Sequence, residues 1–498
     1  MTPIYIHSLP EIFSKVSDIK SIIECDSNQS YVTVDPNALE AFENEFNLFS
    51  LEVDGIPIWE HVRFGTFRDI NRANGVGQAH TQIETGIKAY LRGTYLWARN
   101  AVSHNPYFAR EHDFLFVGHP RRKLGDDGYW WDIYCDPIHE HGELDYIHLE
   151  HNINQKHRTP AKTQNLRYTD FINYTGTIQR KLGINEPSLP EDLASRLHEI
   201  ESAIDYRFDA DIDLVRKIQR AHYARKTTLP LYKRLLDRIN PSVIVLVVSY
   251  GKEVLIEACK QRDIPVVELQ HGVIYDHHHG YSYPEDETKS TFPDYLLTFG
   301  EFWGENIRIP IPDDHVIPVG YPYLQRRIDD YTGIEPKEQI LFISQGTIGH
   351  ELSKFALMIH QDPRIDHEIV YKLHPGEYDR WQDEYPHLAE SDMTVIDRPE
   401  PPLYQLFAES SVQVGVGSTA VYEGLCFDLN TFVFDIGKSD VLRPLVEDGA
   451  AMFVETVDEL ATGLESTGKS QFKKERFFKS NAVENMIREI QRIKTETT

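Results

Sequence analysis

Two doubly wound α/β domains behind an N-terminal appendage are the fold this sequence predicts. Three observations predict it. The chain has 498 residues, more than one ordinary core accommodates. Short, fully apolar runs recur along it from Phe114 onward, as parallel strands buried on both faces require. Several of those runs end directly in Gly-, His- or Pro-containing breaks, such as Gly118-His119-Pro120 and Gln270-His271-Gly272, which place polar side chains at strand ends.

Residues 1–112 mix short apolar runs with polar breaks and form the appendage. Within it, the segment from Ile87 to Arg99 spaces aromatic and aliphatic residues as a helix does, with basic residues between them. That stripe packs on the first domain or touches a membrane surface or lipid-linked acceptor. The first α/β domain spans residues 113–328. Phe114-Leu115-Phe116-Val117 opens it, and a polar, helix-rich stretch from Glu186 to Arg238 follows. Val243 to Val248 is the clearest buried strand. A helix over residues 252–261 then leads to the strand Pro265–Leu269, a right-handed crossover unit. Tyr295–Gly300 and Val316–Gly320 continue the series.

The second domain spans residues 329–498, beginning with the polar linker Asp329 to Glu338. Its strands are Ile340–Ile343, Ile369–Leu373, Thr394–Ile396, Val412–Val416, Thr431–Phe434 and Met452–Val454, separated by helices. Two such domains in tandem imply a cleft between the carboxyl ends of their sheets, where open α/β sheets bind ligands.

Charge and composition exclude several function classes. There are 78 acidic against 51 basic residues, a formal net charge of -27, which disfavours binding to nucleic acid. No stretch approaches the roughly 20 apolar residues of a membrane span, and residues 1–5 lack the basic and apolar segments of a secretory signal. Cys25, Cys135, Cys259 and Cys426 show no paired metal spacing, so neither a zinc module nor a disulfide framework is expected. The expected location is the cytoplasm, extending to the inner face of the membrane.

Three segments carry chemistry. In Gln270-His271-Gly272 the glycine permits a tight turn after a strand and pushes the His271 imidazole towards the cleft, where it can accept a proton from an attacking hydroxyl. A buried histidine bonded to backbone is the plainer alternative. The neighbours Asp276-His277-His278-His279 and Tyr281-Ser282-Tyr283 extend a polar, aromatic loop with the look of a substrate-facing lip. Consecutive histidines rarely converge on one ion, so no metal is assigned there.

Lys372-Leu373-His374-Pro375 ends a second-domain strand, and alternation puts Lys372 and His374 on one face. Two such groups suit the charge developing on a phosphate leaving group; a charged surface turn is the alternative. Gly417-Ser418-Thr419 leads from a strand into a helix that Ser418 or Thr419 caps, with Glu423 one turn later, placed for ribose hydroxyls. Capping with no ligand is the alternative there.

Taken in this order, His271-Gly272, His374-Pro375 and Ser418-Thr419 resemble the motifs of GT-B-fold transferases of surface-polysaccharide synthesis. That group includes bacterial sialyltransferases, capsule Kdo transferases and CDP-glycerol glycerophosphotransferases. The resemblance covers residues 113–465 and rests on short motifs. It implies a GT-B arrangement, in which the His-Pro and Ser/Thr motifs hold the phosphates of a cytidine nucleotide. It also brings in Asp126-Asp127-Gly128, similar to an acidic-acidic-glycine motif whose carboxylate serves as base, although Asp-Gly pairs are common turn formers.

The resulting expectation is a metal-independent glycosyltransferase that moves a sialic-acid-like sugar from a CMP-linked donor to a glycan or lipid-linked acceptor. His271, or else Asp126 or Asp127, deprotonates the acceptor. Lys372, His374, Pro375, Gly417, Ser418 and Thr419 hold the donor phosphate, and Glu423 holds ribose. No resident cofactor is expected, because the nucleotide-activated donor is itself the substrate. A polyol-phosphate transferase, a nucleotide-sugar 2-epimerase and a non-catalytic nucleotide- or glycan-binding protein are the rival readings.

Overall fold

The computed structural model describes residues 35–74, 87–305, 307–346, 348–436, 440–466 and 472–497. The expectations placed on residues 1–5 and Cys25 lie outside them. Two all-parallel sheets organise the chain. The first contains β1 (Phe114–Val117), β2 (Tyr146–Glu150), β3 (Leu166–Tyr168), β4 (Val243–Val247), β5 (Val266–Leu269), β6 (Tyr295–Thr298) and β7 (Val316–Pro318). Their order across the sheet is β7-β6-β5-β4-β1-β2-β3. The second contains β8 (Lys337–Ile343), β9 (Glu368–Lys372), β10 (Thr394–Ile396), β11 (Ser410–Gly415), β12 (Asn430–Phe434) and β13 (Met452–Val454), in the order β10-β9-β8-β11-β12-β13.

Each sheet reverses its winding once, between β1 and β4 in the first and between β8 and β11 in the second. The protein therefore has two Rossmann-like domains, with a switch point in each sheet, the place where open α/β sheets bind ligands. Every residue of β4, Val-Ile-Val-Leu-Val, is buried, as a central parallel strand demands. Strand β2 is buried throughout as well, although it carries His148 and Glu150, 0% and 1% exposed. Those two polar residues break the apolar run by which β2 would be legible in the sequence.

The appendage is helical and shares its core with the helix-rich stretch of the first domain. Leu39 and Phe42 of the helix Pro36–Glu45, and Trp59, Phe67 and Ile70 of Trp59–Ala73, pack on Leu197, Ile200 and Ile204 of Glu191–Phe208. Arg63 fastens this unit to the loop after β5. Its guanidinium pairs with buried Glu43 and donates to the backbone oxygens of His279 and Ser282 at 2.7 and 2.8 Å. A buried charge is tolerable only with such partners. The helix Ile87–Val102 packs on Asp170–Lys181, and Trp97 Nε1 donates to Thr175 Oγ1 at 3.0 Å. Tyr90, Leu91 and Tyr95 remain exposed on it.

The chain ends by crossing back to the first domain. Ile490 and Ile493 of the helix Ala482–Thr497 join the core beneath Phe114 and Val243, and Lys494 lies over the Phe114 ring. Two glycines make the crossing possible. A Cβ on Gly300 would stand 2.2 Å from the Arg476 carbonyl, and one on Gly320, with φ +108, would stand 2.2 Å from that of Lys479. Trp303 Nε1 donates to the Phe477 carbonyl, and its ring lies 4.8 Å from that of Tyr422 of the second domain, tilted by 52°, so the two domains pack directly. No helix among the described residues is long and apolar enough to cross a membrane.

Candidate active site

His271 follows β5 in a turn that Gln270 holds. The buried Gln270 amide accepts from Phe299 N–H and donates to the Gly272 carbonyl, each at 2.7 Å, which ties the turn to the end of β6. Tyr281 OH lies 3.2 Å from His271 Nδ1 and donates to Glu268 Oε1 at 2.5 Å, while Tyr250 OH lies 3.1 Å from His271 Nε2. With its proton engaged by Glu268, Tyr281 accepts from Nδ1–H, and the lone pair of the imidazole is on Nε2. Burial, then His278 and Arg121, holds His271 well below the usual imidazole range, so it is a neutral proton acceptor near pH 7.

The loop after β1 adds two further groups. The His119 ring lies 6.4 Å from that of His271 and nearly parallel to it, and burial keeps it neutral too. Arg121 stands beside Tyr134, whose hydroxyl donates to the His271 carbonyl at 2.9 Å. The positive charge of Arg121 reaches the second domain: it helps depress His374, after burial itself, and it counteracts the upward push of burial on Glu423. One guanidinium therefore links the two switch points electrostatically.

In the second domain His374 caps the short turn Pro375–Glu377. Its Nδ1 accepts from Gly376 N–H at 3.1 Å, and its own N–H donates to Glu377 Oε2 at 2.7 Å. Glu377 is fully buried and also accepts from Ser344 and Tyr385, so it fixes the His-Pro turn to the end of β8. Ser418, not Thr419, caps the helix Thr419–Gly424, accepting from Ala420 N–H at 3.3 Å after the buried turn residue Gly417. The Glu423 carboxylate accepts from Tyr404 OH.

The structure separates some residues that the sequence grouped. Lys372 is buried and donates to the Arg398 carbonyl and, at 3.2 Å, to Tyr378 OH; burial pushes its ammonium down to about 8. Its charge answers Glu400 and Asp397, whereas His374 feels Arg121 and Arg380. Asp126 and Asp127 form the exposed tip of the hairpin Arg122–Leu124/Trp130–Asp132, where Asp127 accepts from Tyr129 N–H at 3.1 Å. The loop 276–283 is packed rather than an open lip: His278, Tyr281, Ser282 and Tyr283 are all buried, with His278 stacked on Phe64.

Sequence reasoning missed Glu268, Tyr250, His119, Arg121 and Glu377. Glu268 interrupts an apolar run, a usable signal in a strand buried on both faces. Arg121 was hidden in the basic run Arg121-Arg122-Lys123, which has the composition of a solvated loop.

No family model matches the sequence, and no curated protein matches it. Solved structures with a similar overall course include the UDP-GlcNAc 2-epimerase of Methanocaldococcus jannaschii, 12% identical over 76% of this chain and 99% of that one, with a TM-score of 0.45. The UDP-GlcNAc 2-epimerase of Neisseria meningitidis bound to UDP-GlcNAc is 13% identical over 76% and 98%, at 0.44. The wall teichoic acid polymerase TagF is 12% identical over 82% and 97%, at 0.41.

Proposed function

We propose that this protein transfers a sugar from a nucleotide-activated donor to a hydroxyl acceptor, with His271 as the general base. The observation that carries the reading is the hydrogen-bonded line Glu268, Tyr281, His271, Tyr250, which leaves a neutral, oriented Nε2 at a switch point of the first sheet. The acceptor O–H proton passes to His271 Nε2, directly or through the Tyr250 hydroxyl. The acceptor oxygen forms a bond to the anomeric carbon as the bond from that carbon to the phosphate oxygen breaks. The electron pair of the broken bond stays on the phosphate.

His374, which opens the Pro375 turn, and Ser418 and Thr419, which follow Gly417, face that leaving phosphate in this reading, with Arg121 supplying the positive charge. Glu423 receives the ribose hydroxyls. Lys372 acts from behind the His374 turn. The resemblance of the His-Gly, His-Pro and Ser-Thr motifs favours a CMP-linked, sialic-acid-like donor and a glycan or lipid-linked acceptor. A nucleotide-sugar 2-epimerase is the second reading, favoured by the course of the chain alone.

Nucleotide release separates them. Wild-type protein is incubated with CMP-, CDP-, UDP- and GDP-linked donors, with and without a mixed glycan acceptor. Acceptor-dependent release of one nucleotide, lost in His271→Ala and His374→Ala, is the expected result. Interconversion of donor sugars without acceptor would establish the epimerase, and full turnover by both variants would remove the assignment.

A further inference from the structure

We propose that Asp132, Cys135 and His148 bind a zinc ion in the core of the first domain. One donor atom of each lies within 4.8 Å of those of the other two, and all three residues are completely buried. Asp132 ends the hairpin strand Trp130–Asp132, Cys135 precedes the helix Asp136–His141, and His148 sits in the middle of β2. Three separate elements thus converge on one point.

Two of the donor atoms are otherwise unexplained. Asp132 Oδ2 and His148 Nε2 are 3.7 Å apart, both buried, and neither has a hydrogen-bond partner. A buried carboxylate oxygen and ring nitrogen left in that state are each destabilising. Two ligands of one tetrahedral zinc, each bonded at about 2.0–2.2 Å, stand about this far apart. The outer oxygen Oδ1 of Asp132 accepts from the amides of Tyr134 and Cys135 at 2.9 and 3.1 Å, which leaves Oδ2 turned inwards. His148 Nδ1 meets His139 Nε2 at 3.1 Å, the outer contact that orients a metal-bound imidazole.

Gly118 keeps the point clear. A Cβ at that position would lie 2.2 Å from His148 Nε2 and 2.7 Å from Asp132 Oδ2, so any side chain would occupy the space over the donor atoms. The surrounding charge also calls for a cation. Asp132, Asp136 and Glu150 are all buried around one arginine, Arg122, which bonds Glu150 at 2.6 Å and lies 3.5 Å from Asp136. Nearby His157 pairs with Asp170. A divalent ion bound by a thiolate, an imidazole and a carboxylate restores the balance, and that donor set suits zinc. Binding displaces the Cys135 proton to solvent.

The ion would tie the Tyr134 turn to β2, and Tyr134 OH is the group that holds the His271 carbonyl. The sequence reading saw no metal module because it sought paired cysteines; the pattern here is Asp-x-x-Cys with a histidine 13 residues on.

The test uses the full chain, produced in zinc-supplemented medium and freed of loose metal by gel filtration. Elemental analysis is expected to find about one zinc per chain, falling below about a tenth in Cys135→Ala and His148→Ala. Cobalt loading of the wild type guards against variants that fail to fold: a thiolate-to-cobalt charge-transfer band and intense tetrahedral ligand-field bands are expected. Folded wild type holding less than about a tenth of an equivalent of zinc would overturn the proposal, as would a cobalt spectrum without the thiolate band. Zinc retained in full by folded Cys135→Ala would overturn it equally.

Discussion

The Tyr281 hydroxyl stands 3.2 Å from His271 Nδ1 while donating to Glu268, and this decides which nitrogen of His271 carries the lone pair. If His271 is the base, its loss and the loss of its orienting partners differ in size. His271→Ala should lower kcat by about 10²- to 10⁴-fold with little change in donor KM. Tyr281→Phe keeps the ring that packs against Phe292 but frees the imidazole, and a loss of about tenfold is expected. The check is steady-state nucleotide release. A Tyr281→Phe enzyme as slow as His271→Ala would mean that the tyrosine itself handles the proton.

Arg121 belongs to the first domain but acts on the second, through His374 and Glu423. If it meets donor phosphate, Arg121→Ala should weaken nucleotide binding by about 1.5–3 kcal/mol, roughly 10- to 150-fold in Kd. Arg121→Lys should recover only part of this, because one ammonium cannot reproduce the planar fork. Titration calorimetry with the nucleotide product is the measurement. Unchanged affinity in Arg121→Ala would place the arginine in domain packing alone.

What the sequence made legible follows from burial. Strand β4 is a continuous run of Val, Ile and Leu, so its pattern alone identified it. Strand β2 escaped because His148 and Glu150 are partnered within the core by His139 and Arg122, residues 9 and 28 positions away. At the site, His271 and His374 stood out because each immediately precedes a turn-forming Gly or Pro. Their supports were less visible. Glu377 is an acidic residue of ordinary local context, and only the fold shows it buried beneath the His-Pro motif. The return of the helix Ala482–Thr497 to the first domain is a long-range packing choice that no local pattern encodes.

If the acceptor is lipid-linked, the helix Ile87–Val102 is the surface to test for its docking. Leu91 and Tyr95 are 62% and 60% exposed, Tyr90 is also exposed, and Lys181 lies over the Tyr90 ring. On a chain of net charge -27, an apolar patch edged by Lys88, Arg92 and Lys181 is a local exception suited to anionic lipid headgroups. Sedimentation with phosphatidylglycerol vesicles should recover wild type at low salt, and Leu91→Glu/Tyr95→Glu should abolish this without affecting turnover on a soluble acceptor. Equal sedimentation of both proteins would eliminate the patch as the docking face.

Acid stability tests the buried imidazoles. Burial pushes His278 and His151 down to about 4 and holds His119, His271 and His279 well below their ordinary value. Between about pH 6.5 and 4 the unfolded chain therefore binds protons that these folded groups refuse, and stability rises with pH across that window. For His278, 3% exposed, the loss on reaching pH 5 is about 2 kcal/mol. Glu268, Glu377 and Glu423 oppose it, because burial raises them and they take up protons in the folded state first. Imidazoles lowered by burial, His61, His139 and His374 among the others, outnumber the carboxylates that burial raises, so the net effect is destabilisation as pH falls below 6.5. Urea midpoints should drop steadily from pH 7.5 to 5, and His278→Gln should flatten the slope by about one proton. A midpoint that holds or climbs over that range would show that the raised carboxylates outweigh the buried imidazoles.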